Sequence, residues 1–279
     1  MLNTIFLYNL HIGMSIHNKR TLIKILNELG SILSFKIMTH SDGWIIELQK
    51  NNKSYLIYGY NFPNNNAAAS RLCDDKSGVY EVLTKHQCPA IPHFFFMNPK
   101  NPNSIEKNIT TRANKLLQQY RKIVVKPNNG TGGDCVFLVE TPTQLKDAIN
   151  KIFNRFDYLT ISPYQNIKNE YRVIMLNNKP MLIYEKIKCN GEWRHNLQHG
   201  ANASIVVDKL LTTQLTKLAR MASNVININF SSIDIVRVKD KFYILEINSG
   251  VMLEKFALQS KDNYIISKSI YKKALESIF

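Results

Sequence analysis

The chain has 279 residues, 44% of them hydrophobic, which is enough to bury a substantial core and to divide into two or three lobes. No apolar run reaches membrane-spanning length, and Met1 to Leu10 carries neither the basic start nor the cleavage site of a secretory signal, so the expectation is a cytoplasmic protein with no membrane partner. The formal net charge of +15 suits an anionic partner, but the lysines are dispersed without a dense block, which disfavours nucleic acid, and abundant Lys, Asn and Ile also fit a coding bias.

Thr4–Leu10 reads as a strand and Asn18–Leu29 as an amphipathic helix with Leu22, Ile25, Leu26 and Leu29 on one face. Trp44–Leu48 and Ser54–Tyr60 read as a hairpin across Gln49–Lys53, followed by a polar loop at Asn61–Asn66. The aromatics there are read as core, with the tyrosines as an alternative lining for substrate. These elements open an N-terminal α/β lobe, residues 1–90. A helix from Lys76 towards His86 and a strand at Ile91–Phe96 lead into Asn98–Asn108, whose prolines and asparagines mark a boundary or a surface insertion.

The central lobe, 91–162, holds a helix near Arg112–Tyr120, two strands around a glycine-rich turn, and a helix near Thr143–Phe153 capped by Thr141 with Pro142 in its first position. Strands at Tyr158–Ser162, Tyr171–Leu176 and Met181–Ile187 lead into the C-terminal lobe, 163–279, where a helix at Lys209–Val225 precedes a last hairpin. Internal repeats and low-complexity tails are absent from the sequence.

The glycine-rich turn sits in Ile123-Val-Val-Lys-Pro-Asn-Asn-Gly-Thr-Gly-Gly-Asp-Cys-Val-Phe-Leu138. Gly130, Gly132 and Gly133 can take positive φ and let backbone N–H groups approach a ligand, while Lys126 brings a charge suited to phosphate. An ordinary hairpin that merely needs glycine is the alternative. Neither a P-loop nor a dinucleotide fingerprint fits, because no lysine follows the glycines and an apolar strand, not a helix, comes next.

The last hairpin, Ser231 to Gly250, has two apolar runs about Lys239-Asp240-Lys241. If it folds symmetrically about Asp240, Asp234 stands opposite Glu246, and Asn248 follows on the same face together with Val236, Val238, Phe242 and Ile244. Ile233, Ile235, Tyr243, Leu245 and Ile247 then make the other face. Two buried carboxylates facing each other need a compensating cation, and with an Asn carbonyl they form a hard oxygen set suited to magnesium. Solvated acids at an exposed hairpin end are the alternative. Glu170 and Arg172 project from one side of their strand. Cys73, Cys88, Cys135 and Cys189 show no CxxC spacing and are read as reduced, mostly buried thiols. His195 and His199 stand four apart, but the glutamate of H-E-x-x-H is missing, so neither is assigned to a metal.

A lysine before a glycine-rich hairpin and a late Asp/Glu/Asn cluster, in this order, resemble the ATP-grasp superfamily and most closely its RimK-type, glutamate ligase-like carboxylate–amine ligases. The resemblance runs from Arg71 to Phe256. It implies a three-lobed α/β (α+β) fold with a glycine-loop lid lobe and a C-terminal catalytic lobe built on an antiparallel sheet. It further implies ATP as cofactor with Mg2+, for which Mn2+ can substitute, held by Asp234, Glu246 and Asn248. By the same resemblance Lys76 and Lys126 bind phosphates under Gly130, Thr131, Gly132 and Gly133. Ser162, Pro163 and Tyr164 form the adenine hinge, and Glu170 holds the ribose. Arg194 and Asn196 match the family's Phe-Arg-x-Asn segment, whose arginine faces the transferred phosphate and the reacting carboxylate; Arg194, Lys126 and Arg172, the last read as holding an anion beside Glu170, are the expected catalytic cations. The implied reaction activates a carboxylate as an acyl phosphate and joins it to an amine, releasing ADP and phosphate. The carboxylate substrate can be an amino acid, and the amine acceptor an acidic peptide or carrier protein. Val251 to Phe256 departs from the Pro-Gly that usually follows the metal motif, which opens the identity of the acceptor. Homo-oligomerisation, an ATP-grasp kinase and a basic nucleic-acid-binding protein with a degenerate nucleotide fold remain alternatives.

Overall fold

The computed structural model describes residues 20–106, 108–130, 132–189, 195, 197 and 200–279. The expected strand Thr4–Leu10 and the first residues of the expected helix, Asn18 and Lys19, lie outside them. Helix α1 (Thr21–Leu33) buries Leu22, Ile25, Leu26 and Leu29 along one stripe. Its N-terminus has no cap of its own: the distant Glu254 carboxylate accepts from the backbone N–H groups of Thr21 at 2.8 Å and Leu22 at 3.1 Å. Strands β1 (Lys36–His40), β2 (Ile45–Lys50) and β3 (Lys53–Tyr58) form an antiparallel sheet in that order. The β2–β3 turn is tighter than expected, two asparagines, Asn51 and Asn52, both at positive φ.

Helices α2 (Ala67–Cys73) and α3 (Lys76–Lys85) follow, each started by a side-chain cap, Asn66 and Asp75. Next come β4 (Phe94–Met97), α4 (Ile109–Tyr120), β5 (Ile123–Pro127), β6 (Phe137–Val139), α5 (Pro142–Phe153) and β7 (Tyr158–Pro163). The strands make an antiparallel sheet in the order β4-β7-β5-β6, and its core, including Phe96, Leu117, Val125, Ile152 and Ile161, is shared with α4 and α5. Thr141 and Gln144 complete a capping box at α5, and Pro142 takes the first turn as expected.

The remaining elements are β8 (Ile167–Leu176), β9 (Lys179–Ile187), β10 (Asn202–Ile205), α6 (Lys209–Ile226), β11 (Phe230–Val238), β12 (Lys241–Asn248), α7 (Glu254–Ala257) and α8 (Lys261–Glu276). Their five-stranded antiparallel sheet runs β10-β9-β8-β11-β12. One face packs on α1, the N-terminal sheet and α8 through Ile174, Tyr184, Phe230 and Tyr271. The other packs on α2, α3 and α6 through Val173, Ile233, Ile244 and Ile247. No described helix is long and apolar enough to cross a membrane.

The β11–β12 hairpin differs from the symmetric reading. Its turn has two residues, with Val238 opposite Lys241, and Lys239 sits at φ 55. Such a turn would put Asp234 opposite Leu245, but a β-bulge inserts one extra residue and restores Asp234 to Glu246. The bulge also exchanges faces along β12. Ile244 joins Ile247 and Phe242 in the α6 core, while Leu245, Glu246 and Asn248 line the opposite side. The expected placement of Phe242 and Ile244 beside Asp234 is therefore corrected.

Candidate active site

A cleft of about 530 Å³ opens between the glycine turn and the five-stranded sheet, and Gly132 and Glu246 both line it. Lys126, near the end of β5, and Lys76, at the first position of α3, both line it. The Lys76 ammonium donates to the Gly130 carbonyl at 2.6 Å and pairs with Glu246 at 3.4 Å. Asn128 ties the two elements together: its amide oxygen accepts from the N–H and hydroxyl of Ser77, and its amide nitrogen donates to Asp75 at 2.7 Å. The lid is thus anchored to the N-terminus of α3, a link that a lone Asn in a turn does not advertise.

The glycines serve different ends. Gly132 and Gly133 take positive φ at 70° and 80°. Gly130 does not; there a Cβ would come within 2.9 Å of the Pro127 side chain. Thr131 lies outside the described residues. Lys126 makes no ion pair with a described residue, and loss of hydration, with Lys76 nearby, pushes its pKa down to about 8 against the pull of Glu246.

Across the cleft, strand pairing sets Asp234 directly opposite Arg172. The guanidinium grips both carboxylate oxygens at 2.7 Å, and Lys186 adds a contact to Oδ2 at 2.9 Å. Lys186 also binds Glu170 at 2.6 Å, giving a chain Arg172–Asp234–Lys186–Glu170 in which Arg172 is half-buried and the other three are buried. Burial by itself would raise the Asp234 pKa, but Arg172 and Lys186 outweigh it and hold the group at about 2. Lys186 escaped the sequence reading; its signal is one lysine inside the apolar run of β9. Glu170 lines the cleft with one oxygen already committed to this lysine.

Glu246 and Asn248 line the cleft, with the Glu246 side chain 22% exposed. Among the described residues no three His, Cys, Asp or Glu side chains form a metal-binding group. The donor set still fits magnesium. Glu246 and Asn248 supply oxygens facing the cleft, and Asp234 Oδ1, which accepts from Arg172, keeps a lone pair. An ion that retains waters and shares substrate phosphates needs no more protein ligands than these.

Ser162, Pro163 and Tyr164 line the cleft beside the lid, and the Tyr164 N–H donates to the Lys122 carbonyl at 3.0 Å. The buried Ser162 hydroxyl has no partner among the described residues. His195 is buried and lines the cleft; its Nδ1 must donate to the Lys186 carbonyl at 2.9 Å, which leaves Nε2 without a partner among the described residues. Arg194, Asn196 and His199 lie outside the described residues. The cysteines remain separate thiols, Cys73 and Cys88 buried, Cys135 partly exposed and Cys189 exposed, so fewer are buried than expected.

The three sheets, the glycine-turn lid and the cation-lined cleft define an ATP-grasp fold. Residues 73–271 match the RimK-like ATP-grasp domain, and the chain belongs to that family. It is 25% identical over 162 residues to the tetrahydromethanopterin:α-L-glutamate ligase of Methanocaldococcus jannaschii, covering 54% of this chain and 53% of that one. A probable α-L-glutamate ligase of Vibrio cholerae is 28% identical over 136 residues, 47% of this chain and 44% of its own. The chain spans about half the length of these curated relatives. Among solved structures, D-alanyl-alanine synthetase A from Vibrio cholerae superposes with a TM-score of 0.62 at 13% identity, covering 84% of each chain. A D-alanine–D-alanine ligase from Bacillus anthracis complexed with ATP gives 0.57 at 15% identity, over 76% of this chain and 69% of that one. These two likenesses are of fold.

Proposed function

We propose that this chain is an ATP-dependent carboxylate–amine ligase that forms an amide through an acyl-phosphate intermediate and releases ADP and phosphate. One observation carries the reading: Lys76 and Lys126, held under a glycine turn, share a cleft with Glu246 and Asn248. A carboxylate has too poor a leaving group to acylate an amine at neutral pH, so phosphorylation must come first. During phosphoryl transfer negative charge spreads over the equatorial oxygens, and fixed cations stabilise it.

In this reading Lys126 and Lys76 hold the phosphates, and the backbone of Ser162, Pro163 and Tyr164 receives the base. Arg172 stays on Asp234 to keep that carboxylate ionised, and Lys186 bridges Asp234 to Glu170. Glu246 and Asn248, with Asp234 behind them, would hold Mg2+, which supplies charge neutralisation between the phosphates when bound. Arg194 is assigned to the transferred phosphate and the reacting carboxylate. The acyl phosphate hydrolyses if water reaches it, so the glycine turn acts as a lid. L-Glutamate is the first amine to test, because curated relatives are named as glutamate ligases.

The test is phosphate release from Mg-ATP with L-glutamate and a panel of amino acids and acidic peptides, followed by the product mass. Amide and inorganic phosphate are expected; a stable phosphorylated product would instead assign a phosphotransferase. Glu246→Gln and Lys126→Ala should each cut turnover by about 100-fold or more while leaving the circular dichroism spectrum unchanged, in the range that loss of one transition-state contact produces. Turnover near the wild-type rate in either variant would overturn these roles.

A further inference from the structure

One end of the cleft is walled by residues that phosphate transfer does not call for. Trp44 before β2 and Tyr58 at the end of β3 have ring centroids 6.1 Å apart and planes at 85°. Tyr60 meets the same indole at 6.4 Å and 88°. Trp44 is 47% exposed and Tyr58 61%, and all three rings line the cleft rather than the outer surface alone. Large apolar groups left in contact with water at a concave surface are the ordinary mark of a ligand wall.

The wall is rigid. Gly59 takes φ +59, and a Cβ there would come within 2.8 Å of the indole, so Trp44 lies flat on bare backbone. Arg20 donates to the carbonyls of Gly43 and Gly59 and sets its guanidinium 5.4 Å from the Trp44 ring and 4.5 Å from the Tyr60 ring. A surface held this way loses little conformational freedom when a ligand settles on it.

Charge adds a second constraint. Lys76, Arg172 and Lys186 are paired with cleft carboxylates. Lys255 and Lys188 also line the cleft, both exposed, and neither forms an ion pair with a described residue. Lys255 follows Glu254, whose carboxylate accepts from the Tyr60 hydroxyl at 2.9 Å, so its backbone is one residue from a contact of the aromatic wall. Met252, in the segment that departs from the family's Pro-Gly, lines the same cleft.

We propose that Trp44, Tyr58 and Lys255 form a specificity subsite that takes a carboxylate-bearing peptide or amino-acid terminus with an aromatic side chain next to it. The proposal deepens the ligase reading and rests on it for the statement that such a terminus is a substrate. Its probes are acetyl-Tyr-Glu, acetyl-Ala-Glu and acetyl-Tyr-Gln amide, titrated calorimetrically into the whole chain with Mg2+ and a non-hydrolysable ATP analogue. Acetyl-Tyr-Glu should bind about tenfold more tightly than acetyl-Ala-Glu, the scale of one aromatic pairing. Trp44→Ala and the more exposed Tyr58→Ala should each shrink that ratio towards one, Trp44→Phe should keep most of it, and affinity for the ATP analogue should not change. Lys255→Glu should weaken acetyl-Tyr-Glu but not the uncharged acetyl-Tyr-Gln amide. Equal binding of the Tyr and Ala peptides to the wild type, or binding of neither while the analogue binds, overturns the subsite. Amide formation without aromatic preference also overturns it and leaves the ligase reading intact. Selective peptide binding with no amide product does the reverse.

Discussion

Lys126 shows how burial tunes a single charge. With a pKa near 8 rather than 10.5, it is partly neutral at mildly alkaline pH in the ligand-free protein. Bound phosphates favour the ammonium, so nucleotide binding near pH 8 should take up a proton, and affinity should fall as pH climbs through about 8. Calorimetry in two buffers of different ionisation enthalpy reads the uptake directly; none at about pH 8.5, or an affinity flat from about pH 7 to about pH 9, contradicts the assignment. Lys126→Arg, which does not titrate, should flatten the profile. The sign for folding is opposite. Between about 8 and 10.5 the unfolded chain binds more protons than the folded one at this position, so its contribution to stability rises with pH across that window. The lysine, the glycines and the acid pair could be picked out as chemistry from the chain alone. That Lys186 shares Asp234 with Arg172 could not, because the aspartate and the arginine lie 62 residues apart and meet only across a strand pair.

At the level of elements, helices with one apolar stripe and a cap were the most legible. Residues 141–153 carry their own start signal, and α6 buries the stripe its periodicity announces. Strand β1 was not anticipated because its residues alternate between exposed and half-buried, and β10, short and at the sheet edge, carries little apolar content. The last hairpin is more instructive. Its acid pair was expected from a symmetric three-residue turn, yet the pairing arises from a two-residue turn and a bulge that cancel in register. Lys239 bears the cost of that turn, since a side chain at φ 55 crowds its own carbonyl. Lys239→Gly should therefore stabilise the protein by about 0.5–1 kcal/mol, a rise of a few degrees in Tm. Lys241→Gly, inside the ladder, should lower it. A melting temperature unchanged or reduced in Lys239→Gly would mean that the turn relaxes in solution.

Over the whole molecule the N-terminal layer is not a separate body. Helix α1 and the first sheet share one core with α8 and the five-stranded sheet, and Glu254 clamps them by capping α1 and holding the Tyr60 hydroxyl, whose pKa burial and this carboxylate push up to about 12. Glu254→Ala should speed hydrogen exchange at the first turn of α1 and cost about 1–3 kcal/mol in denaturant unfolding, while exchange in α5 stays unchanged. Equal protection of α1 in both proteins would remove the clamp from the account. Local residue patterns were sufficient to read helices, strands, a glycine-rich turn and a terminal acidic hairpin, because each of those is written in residues close together, and the resemblance carried by those motifs supplied the lid and the fold class. Three things came only with tertiary structure: the bulge that returns Glu246 to the cleft, the cations that neutralise Asp234 and Glu170, and the aromatic wall brought in from the N-terminal sheet. Local sequence records which face of an element is buried. Which charge meets which, and what closes a cleft, depends on contacts between segments far apart in the chain, whose cost in chain entropy is met only when the whole core forms.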